Sequence, residues 1–116
     1  MNSNAREAVL KRAAPGWYGQ FQPQLVAERG WAKLSPDVVV GLLEGASHNA
    51  HHRARLLLGE MQSQSWRILA TVHSGGKGDE ARAADTVPRI TLQVGNRKYH
   101  LRCKAAPQLH VVAITA

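Results

Sequence analysis

The chain has 116 residues, enough for one domain with a single hydrophobic core and too few for two such cores. Hydrophobic residues make up 44% of it and charged residues 20%, which argues against wholesale disorder. The formal net charge of +7 favours polyanionic partners, with nucleic acid ahead of an anionic membrane surface. We therefore expect one domain over residues 1–116.

The charges are unevenly distributed along the chain. Every acidic residue lies at or before Asp85, whereas residues 86–116 carry five cations: Arg89, Arg97, Lys98, Arg102 and Lys104. The lone cysteine, Cys103, excludes an internal disulfide and a multi-cysteine zinc site, and it suits a reducing compartment. No apolar run has the length of a membrane span or of a signal-peptide core. We expect a cytoplasmic protein without membrane contact.

Three or four helices are predicted in the first half of the chain. The stretch NAREAVLKRA offers Asn4 as an N-cap with Glu7 three residues later, and QLVAERGW is typical of a short helix ended by Gly30. In LSPDVVVGLLEGAS, Ser35 is a suitable cap and Pro36 suits the first helical position.

A further helix is predicted over residues 48–63, with Ser47 as its cap. Apolar residues at helical spacing define its buried side: Ala50, Ala54, Leu57, Leu58 and Met61. The helical angle places His48, His52 and Arg55 on the opposite side. This basic stripe is therefore expected to face away from the core.

From Trp66 onwards the hydrophobic period changes to two. WRILATVH predicts a strand with Trp66, Ile68, Ala70 and Val72 on one side, and residues 74–88 lack an apolar pattern, which is typical of a mobile loop. After Pro107, LHVVAIT predicts a mostly apolar last strand that could lie centrally in a sheet. The predicted fold class is α+β, with the helices packed on a four-stranded, mainly antiparallel C-terminal sheet.

The segment RITLQVGNRKYHLRCK predicts a β-hairpin around a Gly95-Asn96 turn. The register then follows, and its two faces differ in character. An apolar face pairs Val94 with Arg97, Leu92 with Tyr99 and Ile90 with Leu101, and a cationic face pairs Gln93 with Lys98, Thr91 with His100 and Arg89 with Arg102.

Most catalytic and metal-binding chemistries find little support in the sequence. The spacing of Glu44, His48, His51 and His52 would allow helical zinc ligands, but an exposed basic helix face explains it as well, and we expect neither a metal nor another cofactor. No glycine pattern of a nucleophile elbow surrounds a serine, and Cys103 alternates onto the apolar side of its strand.

Metal-independent RNA cleavage is a reaction that the sequence still allows. The 2′-hydroxyl of RNA is the nucleophile, so the protein needs to supply only proton transfer and positive charge. The expected roles are His100 as general acid or base, and Arg102 and Arg89 as phosphate clamps. The expected backbone contacts are Lys98, Lys104 and Arg97, assisted by the helical stripe of His48, His52 and Arg55. The competing interpretation is that alternating Lys and Arg merely keep an open sheet face soluble.

The order of helices followed by four strands, the basic charge and the segments QLVAERGWAKLSPDVVVGLLEGA and LHVVAITA resemble ribonuclease toxins of the RelE/ParE and barnase-EndoU-colicin types. The resemblance covers about residues 20–116. It implies an antiparallel sheet whose exposed face cuts RNA, RNA rather than DNA as the polyanion, and an antitoxin or immunity protein as a partner.

Two other functions stay open. LSPDVVVGLLEGASHNAHHRARLLLGEM is similar to a helix-turn-helix followed by a wing, in which the helix at 48–63 reads DNA. A non-catalytic inhibitor of phage or plasmid type would instead use an aromatic cluster for protein binding, formed by Trp17, Tyr18, Phe21 and Trp31.

Overall fold

The computed structural model describes residues 2–14, 35–74, 87–104 and 109–116. Their helices are α1 (Ser3–Lys11), α2 (Pro36–Glu44), a 3₁₀ turn (His48–Ala50) and α3 (His51–Ser63), and their strands are β1 (Trp66–Ser74), β2 (Val87–Val94), β3 (Arg97–Lys104) and β4 (His110–Thr115). This is the predicted α+β order, with the helices preceding the sheet. The helix predicted in QLVAERGW, the aromatic cluster and residues 75–86 of the predicted loop lie outside the described residues.

Side-chain caps fix where the first two helices begin. Ser35 caps α2 as predicted, because its hydroxyl accepts a hydrogen bond from the Val38 N–H at 3.3 Å. The prediction of Asn4 as the cap of α1 is wrong. Asn2 has the extended backbone of an N-cap and its Oδ1 accepts from the Ala5 N–H at 2.8 Å, so the helix begins before Asn4 is reached.

The predicted helix over 48–63 opens with the 3₁₀ turn and continues as α3. Its predicted buried side is confirmed, since Ala50, Ala54, Leu57, Leu58 and Met61 are all buried. Ser47 precedes the 3₁₀ turn but its side chain makes no capping hydrogen bond, unlike the prediction. Its backbone N–H instead donates to the Val111 carbonyl at 2.9 Å, which ties the start of the helical segment to β4.

The sheet has the order β1-β2-β3-β4, and each pair of neighbouring strands is antiparallel. The predicted hairpin register is confirmed at all six pairs, from Val94 opposite Arg97 to Arg89 opposite Arg102. Gly95 in the turn has φ of 59°, a left-handed conformation that a glycine adopts without steric cost. The turn and the apolar alternation together therefore determine which side chains share a face.

A bulge in β1 changes the face of its later residues. Ile68 pairs with Leu92, but the register then shifts and Ala70 pairs with Thr91. The prediction that Ala70 lies on the same side as Trp66 and Ile68 is therefore wrong, because the extra residue reverses the alternation.

The apolar last strand, β4, lies at an edge of the sheet, which corrects the expectation of a central position. Val111 and Ile114 are buried, so its apolar character serves the side that faces the helices. Two of its carbonyls have partners outside the sheet: Val111 accepts from Ser47, and Ile114 accepts from the Arg53 guanidinium at 2.9 Å. These bonds occupy acceptors that an edge strand would otherwise offer to another chain.

The helices and one face of the sheet enclose a common hydrophobic core. Trp66 is almost fully buried and its indole Nε1–H donates to the Val9 carbonyl at 2.7 Å, which joins β1 to α1. Arg6 of α1 binds both Asp37 and Glu44, at opposite ends of α2. In the part of the chain that the structure describes, no helix combines the length and apolar character needed to cross a membrane.

Candidate nucleic-acid interface

The face of the sheet that points away from the helices carries most of the exposed cations of the strands. We call it the cationic face, and its exposed basic side chains are Arg67 on β1, Arg89 on β2, and Lys98, His100, Arg102 and Lys104 on β3. On β3 they alternate with the buried side chains of Tyr99, Leu101 and Cys103. The hydrophobic side chains that pack on the helices therefore hold every second residue of β3 toward solvent.

Two neighbouring cross-strand pairs form the centre of the cationic face. Arg89 lies opposite Arg102, and Thr91 lies opposite His100. The Thr91 Oγ1 and the His100 Nδ1 are 3.2 Å apart, within hydrogen-bond distance. An open cavity of about 610 Å³ lies over these pairs, and the small side chains of Ala113 and Thr115 extend its lining onto β4.

Carboxylates are absent from the described part of the sheet. The four carboxylates in the described ranges all belong to helices: Glu7, Asp37, Glu44 and Glu60. Each has a partner there, since Glu7 pairs with Lys11, Asp37 and Glu44 bind Arg6, and Glu60 accepts from Tyr99. A solvated face usually mixes both signs of charge. Within the described ranges, the strands therefore place no counter-charge on the cationic face.

Arg97 does not belong to the cationic face, although the sequence groups it with the backbone contacts. Its position in the register is that of Tyr99, on the side of the sheet that faces α3. A hydrogen bond with the Tyr99 hydroxyl, and then the negative charge of Glu60, raise the pKa of Arg97. The Tyr99 hydroxyl itself donates to Glu60 at 2.7 Å, so this arginine is part of a link between the hairpin and α3.

His48, His52 and Arg55 are exposed, as the helical angles predict, but they lie away from the cationic face. The buried side of α3 packs into the core that the sheet closes from the other side, so the stripe and the cationic face point in opposite directions. The structure thus separates the predicted binding residues into two surfaces. One rigid duplex segment could not contact both.

The residues whose spacing would allow helical zinc ligands are Glu44, His48, His51 and His52. Within the described ranges, no three His, Cys, Asp or Glu side chains converge as the ligands of a metal ion would. Glu44 binds Arg6, while His48, His51 and His52 are exposed. Cys103 is fully buried, and burial raises the pKa of its thiol to about 12, so it is a core residue and not an available thiolate nucleophile.

Two residues of the cationic face were not singled out from the sequence. Thr91 looks like an ordinary strand residue, and only its distance to His100 Nδ1 gives it a role. Arg67 is exposed beside Gln93, on the same side as Lys98. The alternation of β1 could have identified Arg67. The predicted register places Thr91 opposite His100, but the approach of its hydroxyl to Nδ1 is visible only in the structure.

His100 is the proton-transfer group that the structure places beside the paired arginines. His110 lies opposite Lys104, which is four residues along β3 from His100, so the backbone positions of the two histidines are about 14 Å apart. The cluster can therefore bind one anionic group between Arg89 and Arg102, and it can move one proton through His100.

Comparisons of the chain with models of protein families, with curated proteins and with solved structures found no match.

Proposed function

We propose that this protein acts on RNA as a metal-independent endoribonuclease of toxin type, and that the cationic face is its active surface. One observation carries the proposal: the exposed His100 lies next to the Arg89–Arg102 pair, on a sheet whose described residues include no carboxylate. An RNA phosphodiester supplies both the negative charge that this surface lacks and an internal nucleophile.

The proposed reaction is transfer of the phosphoryl group to the neighbouring 2′-hydroxyl. The 2′-oxygen attacks phosphorus, the bond to the 5′-oxygen breaks, and the products are a 2′,3′-cyclic phosphate and a 5′-hydroxyl. One proton leaves the 2′-hydroxyl and one is added to the 5′-oxygen, so no oxidant or metal is required. His100 carries one of these proton transfers.

Arg89 and Arg102 stabilise the reaction electrostatically. Negative charge accumulates on the non-bridging oxygens of the phosphorane, and the guanidiniums of two arginines at facing positions of the hairpin can donate several hydrogen bonds to them. The core-facing pairs of the same hairpin fix the backbone positions of Arg89 and Arg102 before substrate arrives, so that only the two side chains must order around the phosphate.

The test is incubation of the purified protein with RNA in EDTA, followed by analysis of the new termini. We expect 2′,3′-cyclic phosphate ends from the wild type and from His52→Ala, which alters an exposed histidine on the opposite surface. We expect no such ends from His100→Ala. Equal cleavage by both variants would mean that His100 is not the proton-transfer group or that a contaminating nuclease is responsible.

Duplex DNA binding through the helical stripe is a second candidate. It is favoured by the exposure of His48, His52 and Arg55 on a helical segment that follows a tight turn after α2. In that case duplex DNA binds without cleavage, and Arg55→Gln weakens binding while Arg102→Gln does not. No binding of RNA or DNA at low salt, with capture of a protein partner instead, would favour the third candidate, a non-catalytic inhibitor.

A further inference from the structure

The basic side chains of the cationic face are arranged along one strand more than across the sheet. Lys98, His100, Arg102 and Lys104 follow one another on β3 at every second residue, and all four are exposed. Residues two apart on a strand are separated by about 6.7 Å, so the line from Lys98 to Lys104 is about 20 Å long.

The rows that run across the sheet are poorer in positive charge. In the described residues, the row through Lys98 has Arg67 at its other end with the neutral Gln93 between them, and the row through Arg102 adds only Arg89. On β4, the neighbours of Arg102 and His100 are Ala113 and Thr115, which carry no charge, and the neighbour of Lys104 is His110. A negatively charged chain therefore meets more cations along β3 than in any crossing direction.

From this arrangement we infer that the ligand of the cationic face is single-stranded RNA, lying along β3 with successive phosphates near Lys98, His100, Arg102 and Lys104. This inference rests on the proposed function and specifies its substrate. The spacing of the exposed side chains is comparable to the separation of successive phosphates in an extended single strand. A duplex would instead present two backbones on a curved surface to this single line of charge.

The position of the reactive group agrees with this path. His100 and the Arg89–Arg102 pair lie in the interior of the line, with one lysine toward each end. A phosphodiester placed between His100 and Arg102 thus has a phosphate neighbour on each side that the terminal lysines can hold. In-line attack by a 2′-hydroxyl also requires a backbone that is free to rotate, as in a single strand.

The inference is tested by measuring the binding of 2′-O-methyl oligouridine, which lacks the free 2′-hydroxyl and cannot be cut. Fluorescence anisotropy is recorded in EDTA between about 50 and 200 mM salt, with oligomers of about 4 to 16 nucleotides. Each phosphate neutralised on a single strand contributes about −0.7 to the slope of log K against log salt, so three contacts, at Lys98, Arg102 and Lys104, predict a slope of about −2.

Matched charge removals then distinguish the path along β3 from general attraction. Lys98→Gln and Lys104→Gln are each expected to reduce the steepness of the slope by about 0.7. Arg67→Gln removes an equal charge from the same face but off the proposed path, and we expect it to change the slope by less than half as much. An equal effect of Arg67→Gln, or duplex RNA bound as tightly as the single strand, would overturn the inference.

Failure of the inference is distinguishable from failure of the proposed function. If His100 is needed for RNA cleavage but the charge removals on and off β3 have equal effects on binding, the proposed ribonuclease function is supported and the proposed path of the RNA along β3 is wrong. If the wild type binds no RNA at low salt, both fail together.

Discussion

Arg89 and Arg102 lie directly opposite each other on the exposed face of the central hairpin. Like charges in this position destabilise a sheet by roughly 0.2–1 kcal/mol. The pair persists because the same register buries Ile90 opposite Leu101 and Leu92 opposite Tyr99 on the other face. Folding thus brings two cations together that an anionic ligand would then stabilise.

Arg102→Gln is therefore expected to reduce RNA cleavage without reducing the free energy of unfolding. Removing one of two facing charges should leave the free energy of unfolding unchanged or raise it by up to about 1 kcal/mol, because the repulsion disappears. RNA cleavage should fall by at least about tenfold, because one phosphorane donor is lost. Urea unfolding and initial cleavage rates measure the two effects. A variant that loses stability and keeps its activity would assign Arg102 a structural role.

Thr91 is expected to position His100. Its hydroxyl, 3.2 Å from Nδ1, can accept from or donate to that nitrogen, which leaves Nε2 for the substrate. Thr91→Val keeps the shape of the side chain but removes the hydroxyl, so we expect kcat to fall by about tenfold with little change in KM. Thr91→Ser should restore most of kcat. If the Val and Ser variants are equally active, the hydrogen bond has no catalytic consequence.

Gly95→Ala is expected to lower the free energy of unfolding by about 1–2 kcal/mol, because alanine at φ of 59° is strained. An added Cβ would also collide with the Gln64 side chain, which is flexible. Adding Gln64→Ala removes the collision but leaves the strain, so most of the loss should remain. Gly59→Ala is the control, since its Cβ meets no neighbouring atom and a helical alanine should stabilise α3 by up to about 1 kcal/mol. Complete recovery in the Gly95 and Gln64 double variant would contradict the backbone explanation.

The protein is expected to lose stability in alkali through Cys103. Burial raises the pKa of its thiol from 9.0 to about 12, so the folded state retains a proton that the unfolded chain releases. The stabilisation is complete below pH 9.0 and is lost as the pH approaches about 12, by up to about 1.4 kcal/mol for each pH unit. Burial also raises the pKa of Tyr99, which adds a loss above its ordinary pKa of 10.0.

Urea unfolding at several alkaline pH values checks this expectation. Cys103→Ala removes the thiol, so the decline between pH 9.0 and pH 10.0 should become shallower than in the wild type. An unchanged decline would show that Cys103 does not cause it.

The hairpin could be predicted from sequence because two independent signals agree. Gly95-Asn96 specifies the turn, and strict alternation specifies the face, so every pair of the predicted register is found. The bulge before Ala70 has no comparable signal, because it results from how β1 fits against β2 and not from the composition of either strand. The edge position of β4 was missed for a related reason. An apolar strand can be central or can lie at an edge whose acceptors are occupied, as Val111 and Ile114 are here.

Only those residues of the candidate site whose face follows from the alternation of a strand could be predicted from the sequence. His100 and the two arginines follow directly from the register, whereas Arg97 needed the structure to place it beside Tyr99 and Glu60. The predicted register places Thr91 opposite His100, but the approach of its hydroxyl to the imidazole needed the structure. The absence of carboxylates from the strands needed both the sequence and the structure. The charged residues can be counted in the sequence, but only the fold shows on which face each one lies.

The most direct test of the central claim compares cleavage and binding in His100→Gln. Single-turnover cleavage of RNA in EDTA should slow by about 100-fold or more, the usual contribution of a general acid or base. Affinity for uncleavable 2′-O-methyl RNA should stay within about threefold of the wild type, because Arg89, Arg102 and the lysines of β3 remain. Undiminished cleavage by His100→Gln would contradict the account.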